Sequence, residues 1–401
     1  MSEEKLVPKL RFSGFNDEWK KCRLKDICII QDGTHSTPTY IDEGVPFYSV
    51  ETITSAVPPK FISQEEHKQL IKRCEPKFGD ILLTRIGTLA QSKIIDWHGE
   101  FSIYVSLALL SSIKINNNFL NQYIKTEIYQ KEFFKRSLLL AVPQKINLKD
   151  LNETIIKYPS NKEEDKIASY LNLIDKKIEL LEKKLQLYAD FKKYLMQQIF
   201  TQKLRFKKEE YEKWENLQLK DIISLNGGYA FKSDLFKDEG MPIIRISNIS
   251  SNNSVIFKDL VYYDKIKNDS DFIIKKGDLI IAMSGATTGK VAVYDFDYNS
   301  YINQRVGVFK SISKKLYYPF LVQYTLSESF KIELQKTLVA GAQPNISKKE
   351  IESFRIKLPN FKEQKKIANL LSLLDIKINT IQNEHFQISK FKKSLLQQMF
   401  V

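Results

Sequence analysis

The chain has 401 residues, 43% of them hydrophobic, and its 62 lysines and arginines against 48 aspartates and glutamates leave a net charge of +14. That length suits about two folded cores, and the positive balance suits a partner with regularly spaced negative charge, nucleic acid first, with a basic surface kept for solubility as the bland alternative. Cys22, Cys28 and Cys74 lack the paired spacing of zinc sites or disulfide scaffolds, Met1 to Lys9 is charged where a signal peptide needs an apolar run, and no stretch has the length of a membrane span. The expectation is a cytoplasmic protein without a membrane partner, a metal or a disulfide.

Residues 1–160 read as a mixed α+β domain. Val45 to Val50 and Asp80 to Thr84 are rich in β-branched and aromatic residues and predict strands, while Phe119 to Phe134 predicts helix. The loops bounding the strands supply the candidate DNA contacts Thr34, His35, Ser36, Thr37, Arg85 and Lys93. No carboxylate is spaced around His35 for acid or base work, so an ordinary surface histidine is its competing reading.

Residues 161–202 predict a long helix. Ile167, Leu171, Ile174, Ile178, Leu181, Leu185, Tyr188, Lys192, Leu195 and Ile199 follow a four-three spacing in which only Lys192 is polar, with no proline or glycine. This is a helix-pairing seam, spanning roughly 50 Å at about 1.5 Å per residue. Lys176, Lys177, Glu182, Lys183 and Lys184 fall off the seam and predict a solvated face.

Residues 203–360 predict a second α+β domain. Its strands are Met241 to Ile246, Asp278 to Met283 and Val291 to Tyr294, and Pro319 to Gln335 predicts helix. Tyr229, Lys232, Arg245, Asn248, Thr287, Thr288, Lys290, Gln304 and Arg305 are its candidate DNA contacts. Arginine and lysine can hold guanine, and asparagine and glutamine adenine, each for about 1–3 kcal/mol of discrimination. At any single position a phosphate contact or ordinary loop residue is the competing reading. Ser284 to Lys290 imitates a phosphate loop, but three residues separate its glycines and Val291 stands where a hydroxyl should hold magnesium, so a glycine turn between strands is expected. Residues 361–401 repeat the long helix with the seam Ile367, Leu371, Leu374, Ile378, Ile381, His385, Ile388, Lys392, Leu395 and Met399. An antiparallel coiled coil between the two helices would separate the domains; a parallel dimer with a second chain is the competing geometry.

The halves are copies. Lys9-Leu10-Arg11-Phe12 recurs as Lys203-Leu204-Arg205-Phe206, Gly79-Asp80 as Gly277-Asp278, and Lys166-Ile167-Ala168 as Lys366-Ile367-Ala368. The offset grows from 194 to 200 and then stays constant through the second helix. Insertions therefore fall in the globular parts, where surface loops absorb them, and the helices are rigid. Gln197 to Phe200 runs into the second Lys-Leu-Arg-Phe motif, whereas the matching Gln397 to Phe400 stops at Val401, which suggests that the two ends meet in a pseudo-twofold molecule.

The duplicated layout, the strand and turn Lys77 to Gly87 with its partner Lys276 to Ile281, and the Pro159 to Leu171 and Pro359 to Leu371 helix starts resemble the specificity subunits of type I restriction-modification systems over nearly the whole chain. The resemblance implies two target recognition domains, each followed by a long helix, and no catalytic residue or cofactor in this chain. It also implies double-stranded DNA, two methyltransferase (modification) subunits that bind S-adenosylmethionine, and restriction subunits that use ATP, with magnesium, as partners. Base-contacting residues vary with the target in that family, so the resemblance does not select among the loop residues, and the rough alignment of Gln304-Arg305 with Ile103-Tyr104 gives them no shared role. Dissimilar loops on a fixed spacer predict an asymmetric split target. A coiled-coil scaffold whose globular domains bind proteins is the alternative, and steep salt dependence of binding would separate the two.

Overall fold

A computed structural model describes residues 5–55, 57–206, 212–339 and 345–401. The chain divides into two compact units, residues 1–183 with 383–401, and residues 184–382. Each long helix is therefore shared between them, which the linear segmentation into domain and helix does not express.

The first unit contains β1 (Lys20–Arg23), α1 (Leu24–Ile27), β2 (Ile29–Asp32), β3 (Val45–Tyr48), α2 (Val50–Thr54), β4 (Lys60–Ile62), α3 (Gln64–Leu70), β5 (Ile81–Thr84), β6 (Ser92–Ile94), β7 (Ser102–Ile103), β8 (Leu107–Ser111), α4 (Asn117–Ile124), α5 (Glu127–Lys135), α6 (Leu148–Asn152) and β9 (Ile155–Tyr158). A four-stranded antiparallel sheet runs β2-β8-β5-β6, and a smaller sheet runs β4-β3-β7 with β3 and β7 parallel. Successive side chains on a strand point to opposite faces, and β5 uses both. Ile81 and Leu83 join Phe119, Tyr123, Tyr129 and Phe133 of the helices, whereas Leu82 joins Phe101, Ile103, Leu107 and Leu109 in a second cluster. Covering both faces explains why β5 is an unbroken apolar run rather than an alternating one.

The second unit repeats this plan with β10 (Glu215–Gln218), β11 (Ile223–Gly227), β12 (Met241–Ile244), β13 (Val261–Tyr263), β14 (Ile273–Ile274), β15 (Leu279–Ala282), β16 (Val291–Val293), β17 (Ser300–Ile302), β18 (Val306–Ser311), α8 (Tyr318–Thr325), α9 (Glu328–Val339), α10 (Lys348–Glu352) and β19 (Arg355–Leu358), where α7 (Asn161–Phe200) precedes α8 and α11 (Phe361–Gln398) follows β19. Its sheets run β11-β18-β15-β16 and β13-β12-β17-β14, so β14 is an added strand. Leu279 and Ile281 again take one core, and Ile280 and Ala282 the other.

Several element boundaries depart from the pattern reading, each at a capping residue. The strand expected through Val50 ends at Tyr48, because Ser49 begins α2 and its amide donates to Thr52 Oγ1 at 3.3 Å. The single helix expected over Phe119 to Phe134 breaks where Thr126 caps α5, its hydroxyl accepting from Tyr129 N at 3.2 Å, and Ser327 interrupts Pro319 to Gln335 in the same way. Ser and Thr satisfy the free amides of a helix start, which favours a new helix over a continued one. The long helices begin at Asn161 and Phe361, six residues ahead of the apolar seam.

Within each unit the helix segments run antiparallel. In the first, Lys392 Nζ meets Asp175 Oδ1 at 2.5 Å and His385 Nε2 meets Glu182 at 3.0 Å, so numbers rise on one helix as they fall on the other. In the second, Lys192 meets Asp375 at 2.5 Å while Leu195 and Ile199 share a core with Ile367 and Leu371. No residue of either seam is exposed. The lysines that broke the pattern are thus ion-pair donors at matching places, and His385 is a polar seam residue. The two aspartates also bind the globular parts: Gln122 Nε2 donates to Asp175 at 2.7 Å and Gln323 Nε2 to Asp375 at 2.9 Å.

The repeated Lys-Leu-Arg-Phe motifs have one structural task. Arg11 grips Glu163 with two hydrogen bonds of 2.8 and 2.7 Å, and Arg205 grips Glu363 at 3.0 and 2.7 Å. Leu10 N donates to Gln398 O at 2.9 Å, as Leu204 N does to Gln198 O at 3.0 Å. The chain ends therefore meet, with Phe400 packed against Trp19, Phe119 and Tyr123.

Candidate nucleic-acid interface

Four segments of each unit converge at one end of its large sheet. In the first, Thr34 N donates to Ile103 O, Val105 N to Thr34 O, Arg85 N to Ser106 O and Ile146 N to Arg85 O, all at 2.9–3.0 Å. In the second, Tyr229 N donates to Ile302 O, Gln304 N to Tyr229 O, Met283 N to Arg305 O and Ile346 N to Met283 O, all at 2.9 Å. Equal bonding fixes the correspondence: Thr34 with Tyr229, Arg85 with Met283, and Val105-Ser106 with Gln304-Arg305. The sequence alignment of Gln304-Arg305 with Ile103-Tyr104 was therefore off by two residues, because insertions nearby shift the offset.

Glycine makes the first contact possible. A Cβ on Gly33 would lie 2.0 Å from Ile103 O, and one on Gly228 would lie 2.2 Å from Ile302 O, so only glycine lets these loops cross β7 and β17. The recurrence of Gly33 as Gly228 is the sequence signal of this crossing.

The convergence gathers some of the sequence-chosen residues and not others. His35, Ser36 and Thr37 are exposed and Thr34 is half-buried. Arg85 is buried: its guanidinium donates to Val105 O at 2.9 Å and Ile146 O at 3.3 Å and meets Asp32 at 3.3 Å. Asp32 also holds Arg73 at 2.5 Å and His35 Nε2 at 2.9 Å, so, against the sequence expectation, a carboxylate three residues away does meet His35, as part of an arginine-bound cluster. Burial works against the Asp32 carboxylate, but the hydrogen bonds from Arg73 and His35 overcome it and hold the group below the usual carboxylate pKa. Lys93 stands apart on the edge strand β6, its ammonium 5.1 Å from the Trp97 ring centre.

In the second unit Tyr229, Lys232, Gln304 and Arg305 are exposed, the Tyr229 ring stacking on Phe272 at 4.9 Å. Asn248 is buried, receiving Arg245 N at 2.9 Å and donating to Ile256 O and Lys258 O at 3.1 Å, so it shapes its own loop. Arg245 reaches the Asp259 carbonyl, while its Nε and the Thr287 hydroxyl are buried without a hydrogen-bond partner among the described residues. Thr288 donates to Gly285 O at 2.7 Å, and Lys290 is half-buried at the far end of the same turn. Ser284 to Lys290 links the antiparallel strands β15 and β16, as a glycine turn should. Tyr40, Lys60 and Tyr104, which sequence reasoning missed, line a cleft of about 380 Å³ beside Gly87 and Ser106. They are far apart in sequence, and only the fold brings them together. No group of three or more potential metal ligands occurs among the described residues.

The family described as Type I restriction modification DNA specificity domain matches residues 16–187 and again 211–389. The chain belongs to this family. It is 26% identical over 406 residues to the type I restriction enzyme MjaVIII specificity subunit of Methanocaldococcus jannaschii, covering 95% of this chain and 91% of that one. The EcoAI specificity subunit of Escherichia coli is 29% identical over 191 residues, 46% of this chain and 32% of that one. The fold is similar to a crystal structure of the S subunit of a type I restriction-modification system from M. genitalium, with a TM-score of 0.68 at 16% identity, covering 98% of this chain and 99% of that one. The protein is thus a specificity subunit with two DNA target recognition domains, and no described helix is long and apolar enough to cross a membrane.

Proposed function

We propose that this specificity subunit reads an asymmetric split DNA target, one half-site per recognition domain, with a gap set by α7 and α11. What carries the reading is one backbone frame bearing different accessible side chains: Thr34 against Tyr229, and Val105 against Gln304. A shared frame docks in the same manner twice, and dissimilar side chains read dissimilar bases. His35, Ser36 and Thr37 in one unit, and Tyr229, Lys232, Gln304 and Arg305 in the other, are the exposed side chains suited to base edges or phosphates; Thr34, Thr287, Thr288 and Lys290 flank them, Lys93 is a peripheral phosphate contact, and Arg85, Arg245 and Asn248 hold the loops in shape.

Methylation and cleavage belong to partner subunits in this reading, which supply S-adenosylmethionine, ATP and magnesium inside the cell. A second apolar stripe supports helical docking of two methyltransferase subunits. Leu173, Leu180, Leu187 and Tyr194 repeat every seven residues on α7 and are 67, 57, 69 and 57% exposed, and Leu373, Ile376 and Phe386 are similarly bare on α11. Lys176, Lys177, Glu182, Lys183 and Lys184 are exposed as expected, and the apolar stripe beside them is a pattern that a coiled-coil neighbour covers. Sequencing methylated sites in cells with and without this chain tests the reading: a split motif with unequal halves should vanish with the chain, and a palindromic or continuous motif would contradict it.

A further inference from the structure

The loop from Leu138 to Lys145 in the first unit holds large apolar side chains in open water. Leu140 is 100% exposed and Val142 99%, with Leu138 and Leu139 at 46 and 44%. The loop is nevertheless anchored. Leu138 and Lys145 exchange backbone hydrogen bonds of 2.7 and 3.4 Å, Ala141 N donates back to Leu138 O at 3.3 Å, and Gly87 N donates to Gln144 O at 2.8 Å. One hydrogen-bonded pair thus closes an eight-residue loop rooted on the Arg85–Gly87 turn, at the loop edge that carries Thr34 and Ser106, with its apolar tip exposed. Lys131 and Lys135 share a shallow depression with Leu139 at its flank.

We propose that this loop enters the major groove of the first half-site and that Leu140 and Val142 contact thymine 5-methyl groups there. The inference rests on the DNA-reading role proposed above. A narrow closed loop is slimmer than the helix that the major groove admits, and the thymine methyl is the apolar group that groove presents. Flanking lysines suit phosphates at the groove edge, and a bare apolar tip gains most from cover. The aligned positions of the second domain, at the offset of 200 that joins Ile146 to Ile346, are Ala340 and Ala342; they lie outside the described residues. The bulky pair belongs to one domain alone, as a reader of one half-site requires.

The test uses the full chain assembled with its methyltransferase subunits, on duplexes of the mapped target carrying thymine or deoxyuridine at each position. For the unaltered complex, loss of a methyl at one or two positions of a single half-site should weaken binding about fourfold per methyl. The double variant Leu140→Ser with Val142→Ser should bind thymine and deoxyuridine duplexes equally, with the other half-site and the gap unchanged. Indifference of the unaltered complex to every thymine methyl, or full discrimination by the variant, overturns the proposal. Failure of the variant to co-purify with the methyltransferase subunits would assign the tip to a protein surface and overturn it too. Absence of any split-site methylation by the unaltered complex is a separate result, which defeats the underlying function as well.

Discussion

Buried charge pairs decide how much single side chains matter here. Glu163, in the first turn of α7, is 1% exposed and Arg11 is its ion-pair partner, so Arg11→Ala strands a buried carboxylate there. Removing one member of a buried pair costs about 3–5 kcal/mol, and a loss near the lower end is expected, read as faster hydrogen exchange in β1 and α4. Asp32 carries a pH signature. Its folded pKa is depressed, so its contribution is complete above the unfolded value of about 3.9 and disappears as pH falls through the folded value. Asp32→Asn should lower stability at pH 7 and flatten the decline in acid; denaturant midpoints between pH 3 and 7 that fall in parallel for both proteins would refute this. Such roles were hidden in the sequence. Arg85 looks like any loop arginine until the fold sets Asp32 against it, whereas the matching residue of the second unit, Met283, needs no partner.

Elements were far more legible than side-chain roles, because periodicity records burial. The seam from Ile167 to Ile199 and its copy were readable as a pairing face, and β5 as a doubly covered strand, since each pattern states how many faces meet a neighbour. Boundaries were not readable from periodicity alone, as the Thr126 and Ser327 caps show: a hydroxyl at a helix start competes locally with an apolar pattern that runs on past it. Lys192 and Lys392 mark the other limit, since their carboxylate partners lie 183 and 217 residues away. Lys192→Asp should destabilise the second unit, and adding Asp375→Lys should restore much of the loss, because the swap rebuilds the pair with its sign reversed. A double variant no more stable than the single one, by denaturant unfolding, would remove the pair from the seam's energetics.

For the molecule as a whole, the continuous helices α7 and α11, of 40 and 38 residues, carry the proposed ruler. At about 1.5 Å per residue, one heptad is roughly 10 Å, or about three base pairs of duplex at 3.4 Å each. Deleting residues 181–187 and 381–387 together is expected to change the gap in the methylated motif while both half-sites persist; altered half-sites at a constant gap would defeat the ruler. The partition of the chain has a further consequence for the order in which the protein is made. The first unit needs the stretch around Phe400 against Trp19 and Phe119, whereas the second lies wholly within residues 184–382. On the ribosome, the later-translated recognition domain, whose core takes Ile367 and Leu371 from the start of α11, can close before the earlier one, which must wait for the end of that helix to emerge. A nascent chain halted within α11, after residue 382, would expose an unfinished first core, the point at which chaperones or proteases would engage it.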